Sequence, residues 1–143
     1  MQALSKGSLK MKILATIDFS TTSEPILRIT KTYAKQMDAE VFLMHAEPSQ
    51  TDLEQEESDT KPESMRLKKD AQALVRAGVK VTPVFSQGLV CETILSTAID
   101  LKVDLIIIGA HGHGRGSCKA PVGHIGECIL LNSNVPVLVV PVG

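Results

Sequence analysis

The residues best suited to chemistry lie between Gly109 and His124, in the order Gly109-Ala110-His111-Gly112-His113-Gly114-Arg115-Gly116-Ser117-Cys118-Lys119-Ala120-Pro121-Val122-Gly123-His124. This stretch holds five glycines, three histidines, one arginine and one lysine, and no acid. It follows an apolar run and precedes a helical pattern. Glycines let backbone N–H groups approach an anion closely, and a helix N-terminus adds about half a positive charge where those groups converge. Phosphate binding is the chemistry this combination suits. The plainer alternative is a surface loop whose glycines serve only turns. A second polar turn, Asp18-Phe19-Ser20-Thr21-Thr22-Ser23-Glu24-Pro25, follows Ile13 to Ile17, and its Asp18 suits either a helix N-cap or a ligand contact.

Other chemistries fit less well. His111, His113, Cys118 and His124 are acceptable zinc or copper ligands, but a His-x-His among glycines has no structural-site spacing and no evident carboxylate support, so no metal is expected. Cys118 stands in a basic loop that could activate a thiol, yet nothing orients it as a nucleophile. His45, at a strand end, reads as a satisfied, partly buried histidine. The chain has no Gly-x-Ser-x-Gly elbow, no Walker sequence and no paired carboxylates, which disfavours a committed catalyst.

The elements that must position these turns follow from hydrophobic patterning. Residues 1–10 are polar and aperiodic and are expected to be a flexible N-terminus preceding a single domain over 11–143. Ile13 to Ile17 reads as a strand, followed by a helix that ends near Asp38 with Leu27, Thr30, Ala34 and Met37 on one face. Val41 to Ala46 is a second strand. Residues 48–61 are acidic and patternless, expected as a mobile loop. Pro62 to Ala77 suggests a helix with Leu67, Ala71, Leu74 and Val75 inward and Gly78 as its stop. Val79 to Phe85 is a strand, and Leu89 to Leu101 a helix with Ile94, Leu95, Ala98 and Ile99 inward and Cys91 buried nearby. Asp104 to Ile108 lacks alternation, so it should be a central strand covered on both faces. Ile125 to Leu131 reads as a helix. Val135 to Val142 reads as a final strand, bracketed by Pro136 and Pro141 and therefore at an edge.

Strands alternating with helices imply a three-layer α/β/α domain, with a five-stranded, doubly wound parallel sheet. In such folds ligands bind beyond the carboxyl ends of the strands, where the winding direction reverses. The turns after strands one and four are then the functional ones.

Composition narrows the partners. With 143 residues the chain can bury roughly 68–70% of its unfolded surface and needs no staple. A net charge of −1 and 3% aromatic residues argue against nucleic acid. The charge is segregated, because Glu47 to Glu63 carries −6 and the remainder +5. No run reaches the roughly 18 apolar residues of a membrane span, and the apolar run Ile13 to Ile17 is too short for a signal peptide, so neither membrane nor export is expected. Cys91, Cys118 and Cys128 form no Cys-x-x-Cys and leave an odd one, the usage of a reduced, cytoplasmic protein without a disulfide framework.

The sequence resembles the universal stress protein family over nearly all of residues 11–143. Lys12 to Ser20 looks like the family's first strand and Asp-Phe-Ser turn, Phe42 to Ala46 like its second strand, and Val103 to Gly109 and Pro136 to Val140 like its fourth and fifth. Nucleotide-binding members carry Gly-x2-Gly-x9-Gly-Ser/Thr. Here Gly109-x2-Gly112 fits, but ten residues separate Gly112 from Gly123, His124 replaces the hydroxyl residue, and Gly126 stands where another often occurs.

The resemblance implies strand order 3-2-1-4-5 and an adenine-nucleotide-binding branch with a modified glycine loop. It places ligand contacts at Thr16, Ile17, Asp18, Ala46, Ile108, Gly109, His111, Gly112, Arg115, Gly123, His124, Ile125 and Gly126, with adenosine toward Asp18 and Ala46 and phosphates toward the loop. The ligand implied is ATP or AMP, with cyclic AMP a further candidate and magnesium accompanying ATP. It also implies a stress-response regulator with at most slow ATP hydrolysis or autophosphorylation, and a homodimer formed through Val137 to Val140. Two other readings stay open: a dimeric interaction module that has lost nucleotide binding, and a metal or redox sensor built on the loop.

Overall fold

The structure, a computed structural model, describes residues 10–18, 23–48, 62–110 and 123–141. Its elements are β1 (Lys12–Thr16), α1 (Ser23–Met37), β2 (Glu40–Glu47), α2 (Pro62–Arg76), β3 (Lys80–Gln87), α3 (Val90–Leu101), β4 (Leu105–Gly109), α4 (His124–Asn132) and β5 (Val137–Val140). All strand pairs are parallel, in the order β3-β2-β1-β4-β5. The expected doubly wound three-layer sheet is therefore present, with its expected strand order. The acidic stretch 49–61 and residues 1–9 lie outside the described residues.

Side-chain alternation along the strands creates two cores. Ile13, Ala15, Val41, Leu43 and Ile107 point toward α1 and α2, where Ile26, Ala34, Leu67, Ala71 and Leu74 meet them. Leu14, Phe42, Met44, Ile106 and Ile108 point the other way, toward Ile94 and Ala98 of α3 and Ile129 of α4. Right-handed crossovers require this division, because the chain steps to one side of β1 for β2 and β3 and to the other for β4 and β5. β1 and β4 are buried on both faces, as the lack of alternation suggested for β4. Asp104 is not part of β4. Its carboxylate accepts from the Lys12 N–H at 2.9 Å and its own N–H donates to the Lys12 carbonyl at 2.7 Å, clasping the starts of the two strands.

The helix faces need correction in two places. Val75 is 51% exposed and Ile99 62% exposed, although both were expected inward. At 100° per residue Val75 lies about 70° from the centre of the Leu67, Ala71 and Leu74 stripe, and Ile99 about 120° from that of Ile94 and Ala98. A helix touching a sheet buries only the narrow central strip. On α1 that strip is Ser23, Ile26, Thr30 and Ala34, with Leu27 and Met37 half-buried beside it. On α2, half-buried Asp70 has its pKa raised above 3.8 by burial, against the lowering pull of Arg66 and Lys69. Gly78 ends α2 at φ +98°, as expected of a glycine stop, whereas α3 ends on Lys102 in the left-handed region at φ 56°.

The cysteines also need correction. Cys91 of α3 and Cys128 of α4, 37 residues apart, are joined by a disulfide with Cα atoms 6.3 Å apart. The lack of a Cys-x-x-Cys was a poor guide, because pairing depends on proximity in space, and successive crossovers make α3 and α4 neighbours on one face. The odd cysteine, Cys118, lies outside the described residues. The expectation of a cytoplasmic chain without disulfides thereby loses its cysteine argument. No described helix is long and apolar enough to cross a membrane.

The register of α2 is open to a paired test. Leu74→Ala should cost about 2–5 kcal/mol in urea denaturation, and Val75→Ala no more than about 0.5 kcal/mol. Equal losses would contradict the observed face.

Candidate nucleotide site

Beyond the carboxyl ends of β1, β2 and β4 the structure opens a cleft of about 510 Å³, the size of a small-molecule site. Its location follows from topology. The chain leaves β1 toward β2, and later leaves β4 in the opposite direction toward β5, so α1 and α4 part over the sheet and leave a gap. Of the residues singled out from sequence, Thr16, Ile17, Asp18, Ala46, Ile108, Gly109, Gly123, His124, Ile125 and Gly126 line this single cleft. His111, Gly112 and Arg115, with the extra loop residue, lie outside the described residues.

The two ends of the cleft differ in charge. Asp18 and Glu47 stand on the β1 and β2 side. On the other side is the first turn of α4, whose leading backbone N–H groups have no partner within the helix. Gly123 is its N-cap and has no side chain to bond those donors. Between the two ends the wall is apolar, formed by Ile26, Val90, Ile94, Ile108 and Ile129. The arrangement can take an elongated ligand that is anionic at one end, flat and apolar in the middle, and rich in hydrogen-bond donors at the other.

Several lining residues were not identified as site residues from sequence: Ile26, His45, Glu47, Pro48, Val90, Ile94, Ala110 and Ile129. Val90 and Ile94 are four residues apart on α3 and share a face; from sequence Ile94 is expected only as core. His45 was expected to be satisfied and partly buried, and it is: 7% exposed, with its Nδ1 donating to the Ile17 carbonyl at 2.9 Å and its Nε2 3.2 Å from Glu47 Oε1, an ion pair when the ring is protonated. Gln87 donates to the other Glu47 oxygen at 3.2 Å. The Ile17 N–H meanwhile donates to the Met44 carbonyl at 2.9 Å. This network carries β1–β2 pairing one residue past the strand and holds the backbone immediately before Asp18. Among the described residues no cluster of three or more His, Cys, Asp or Glu could hold a metal ion.

Residues 11–141 match the sequence model of the Universal stress protein family. The chain belongs to that family. Universal stress protein MJ0577 of Methanocaldococcus jannaschii is 29% identical over 152 residues, covering 90% of this chain and 93% of that one. The solved structure of MJ0577 superposes with a TM-score of 0.70 at 30% identity, covering 93% of this chain and 96% of that one. A universal stress protein from Archaeoglobus fulgidus, solved in complex with dAMP, gives a TM-score of 0.64 at 19% identity over 92% of this chain and 97% of its own. Another, solved in complex with cAMP, gives 0.72 at 16% identity over 94% and 98%.

In this universal stress protein the His45 network has a measurable weight. His45→Phe keeps an aromatic ring beside Phe85, 5.7 Å away between centroids, but removes the donor to a buried carbonyl. The loss should be about 1–3 kcal/mol in urea denaturation. An unchanged midpoint would show that the Ile17 carbonyl needs no ring donor.

Proposed function

We propose that this universal stress protein binds an adenine nucleotide in the cleft between Asp18 and the first turn of α4 and acts as a stress-response regulator rather than a committed catalyst. The observation that carries the reading is the convergence of Thr16 to Asp18, Ala46, Ile108 to Gly109 and Gly123 to Gly126 on one cleft at the winding reversal. Two proteins of similar fold were solved with cAMP and with dAMP, which supports the ligand class.

The charge distribution sets a direction for the ligand. Asp18 and Glu47 repel phosphate and suit ribose hydroxyls or an exocyclic amine, while the α4 N–H groups suit phosphate. ATP and AMP both fit this polarity, cyclic AMP is a further candidate, and magnesium would accompany ATP. His124 is exposed at the start of α4 and can donate to a phosphate oxygen in place of the family's hydroxyl. Any ATP hydrolysis or autophosphorylation is slow and secondary in this reading. The working compartment is the cytoplasm, without a nucleic-acid or membrane partner.

Calorimetry with ATP, AMP and cyclic AMP, with and without magnesium, tests the proposal. Asp18→Ala should weaken all ligands by about tenfold to a hundredfold, the worth of a hydrogen bond to a charged group. His124→Ser should strengthen ATP binding and leave AMP nearly unchanged. No heat with any nucleotide, together with no adenine released on heat denaturation, would overturn the reading in favour of an interaction module without a ligand.

The edge position of β5 supports a homodimer through Val137 to Val140. Among the described residues the strand pairs only with β4, an edge position that invites pairing with a symmetry mate. Sedimentation equilibrium should return the mass of two chains; a mass of one chain would refute this part.

A further inference from the structure

The wall of the cleft that carries the phosphate-directed N–H groups is its least anchored part. α1 and α2 each bury four residues, α3 buries two, and α4 only Ile129. α4 packs chiefly against α3. Gly126 in its first turn supplies no side chain to pack, and the helix has no side-chain cap. To the packing of Ile129 and α3 the structure adds a covalent tie: Cys128, one turn into the helix, is bonded to Cys91 at the start of α3.

This bond crosses the seam between two helices that both line the cleft. Cys91 adjoins Val90, and Cys128 lies between Gly126 and Ile129, all three neighbours being lining residues. Both cysteines are half-buried rather than enclosed in the core. Asn132 Nδ2 donates to the Cys128 carbonyl at 2.8 Å and lies 3.8 Å from its Sγ, where it favours the sulfur as a thiolate.

We propose that Cys91 and Cys128 form a reversible thiol–disulfide switch that sets nucleotide affinity by fixing the first turn of α4 against α3. The proposal rests on the nucleotide-binding reading of the cleft. Oxidation transfers two electrons and two protons from the two thiols to a low-molecular-weight disulfide, giving the Cys91–Cys128 bond and two small thiols. In reduction a small thiolate attacks Cys91 Sγ, and Cys128 leaves as the thiolate beside Asn132. A second small thiol then attacks the mixed disulfide, freeing Cys91 and releasing the small disulfide. With the bond closed, the α4 N–H groups are held in place before the ligand arrives. With it open, binding must order the helix, and affinity falls. Coupling is reciprocal, so bound nucleotide makes the disulfide harder to reduce by the same factor. Disulfides that do form in the cytosol are usually transient and redox-sensing, which suits a stress protein there.

The test uses the full chain equilibrated with either oxidised glutathione or dithiothreitol, with peptide mapping of the disulfide and AMP calorimetry on each form. The oxidised form should yield the linked Cys91 and Cys128 peptides and bind AMP at least about fivefold more tightly than the reduced form. Cys128→Ser should match the reduced protein under both conditions. Saturating AMP should shift the glutathione redox equilibrium of the pair by the same factor. Equal AMP affinity in the two forms, or mapping of Cys118 to either partner, overturns the switch and leaves nucleotide binding intact. Absence of AMP binding in both forms overturns the switch, and absence of ATP and cyclic AMP binding as well overturns the nucleotide reading with it.

Discussion

The reversal of winding at β1 is the constraint on which the rest of this molecule depends. Parallel strands need crossovers, and crossovers are right-handed, so a chain that builds its sheet first to one side of β1 and then to the other must place α1 and α2 on one face and α3 and α4 on the opposite one. The gap where α1 and α4 diverge is a consequence of that reversal. Burial then fixes its floor: the middle residues of β1 and β4, Ile13 to Ala15 and Ile106 to Ile108, are apolar and buried, so these strands present polar groups only at their ends. Asp18 and Gly109 occur at those exits.

The cleft combines a well-held side and a lightly held side. On the first, the Ile17 backbone is bonded to Met44 and His45, His45 to Glu47, and Glu47 to Gln87, a chain of contacts across the ends of three adjacent strands. On the second, a nine-residue helix with one buried side chain is tied to its neighbour by a disulfide.

Much of the fold was legible in the chain because its signals are local. Ile13 to Ile17 reads as a strand from its apolar run, and Asp104 to Ile108, without alternation, as a strand covered on both sides. Gly78 and Pro62 punctuate α2, and the alternation of element types implied a parallel sheet. The candidate site was legible in part for the same reason, since Asp18 and Gly109 directly follow such strands and Gly123 directly precedes a helix. Val75 and Ile99 were misread because periodicity defines an apolar face about twice as wide as the strip a sheet covers. Lys102 ends α3 without a glycine, so no residue type marked that boundary.

The sequence by itself determined the strands, the helices, their order, and the two glycine- or Asp-bearing turns, because hydrophobic period and turn chemistry act over a few residues. Tertiary structure alone decided which distant side chains meet. Cys91 pairs with Cys128 across 37 residues of chain, His45 reaches back to the Ile17 carbonyl, and Val90 and Ile94 become walls of the cleft as well as core. Such contacts arise from how crossovers stack helices and align strand ends, and that geometry leaves no trace in the spacing of residues along the chain.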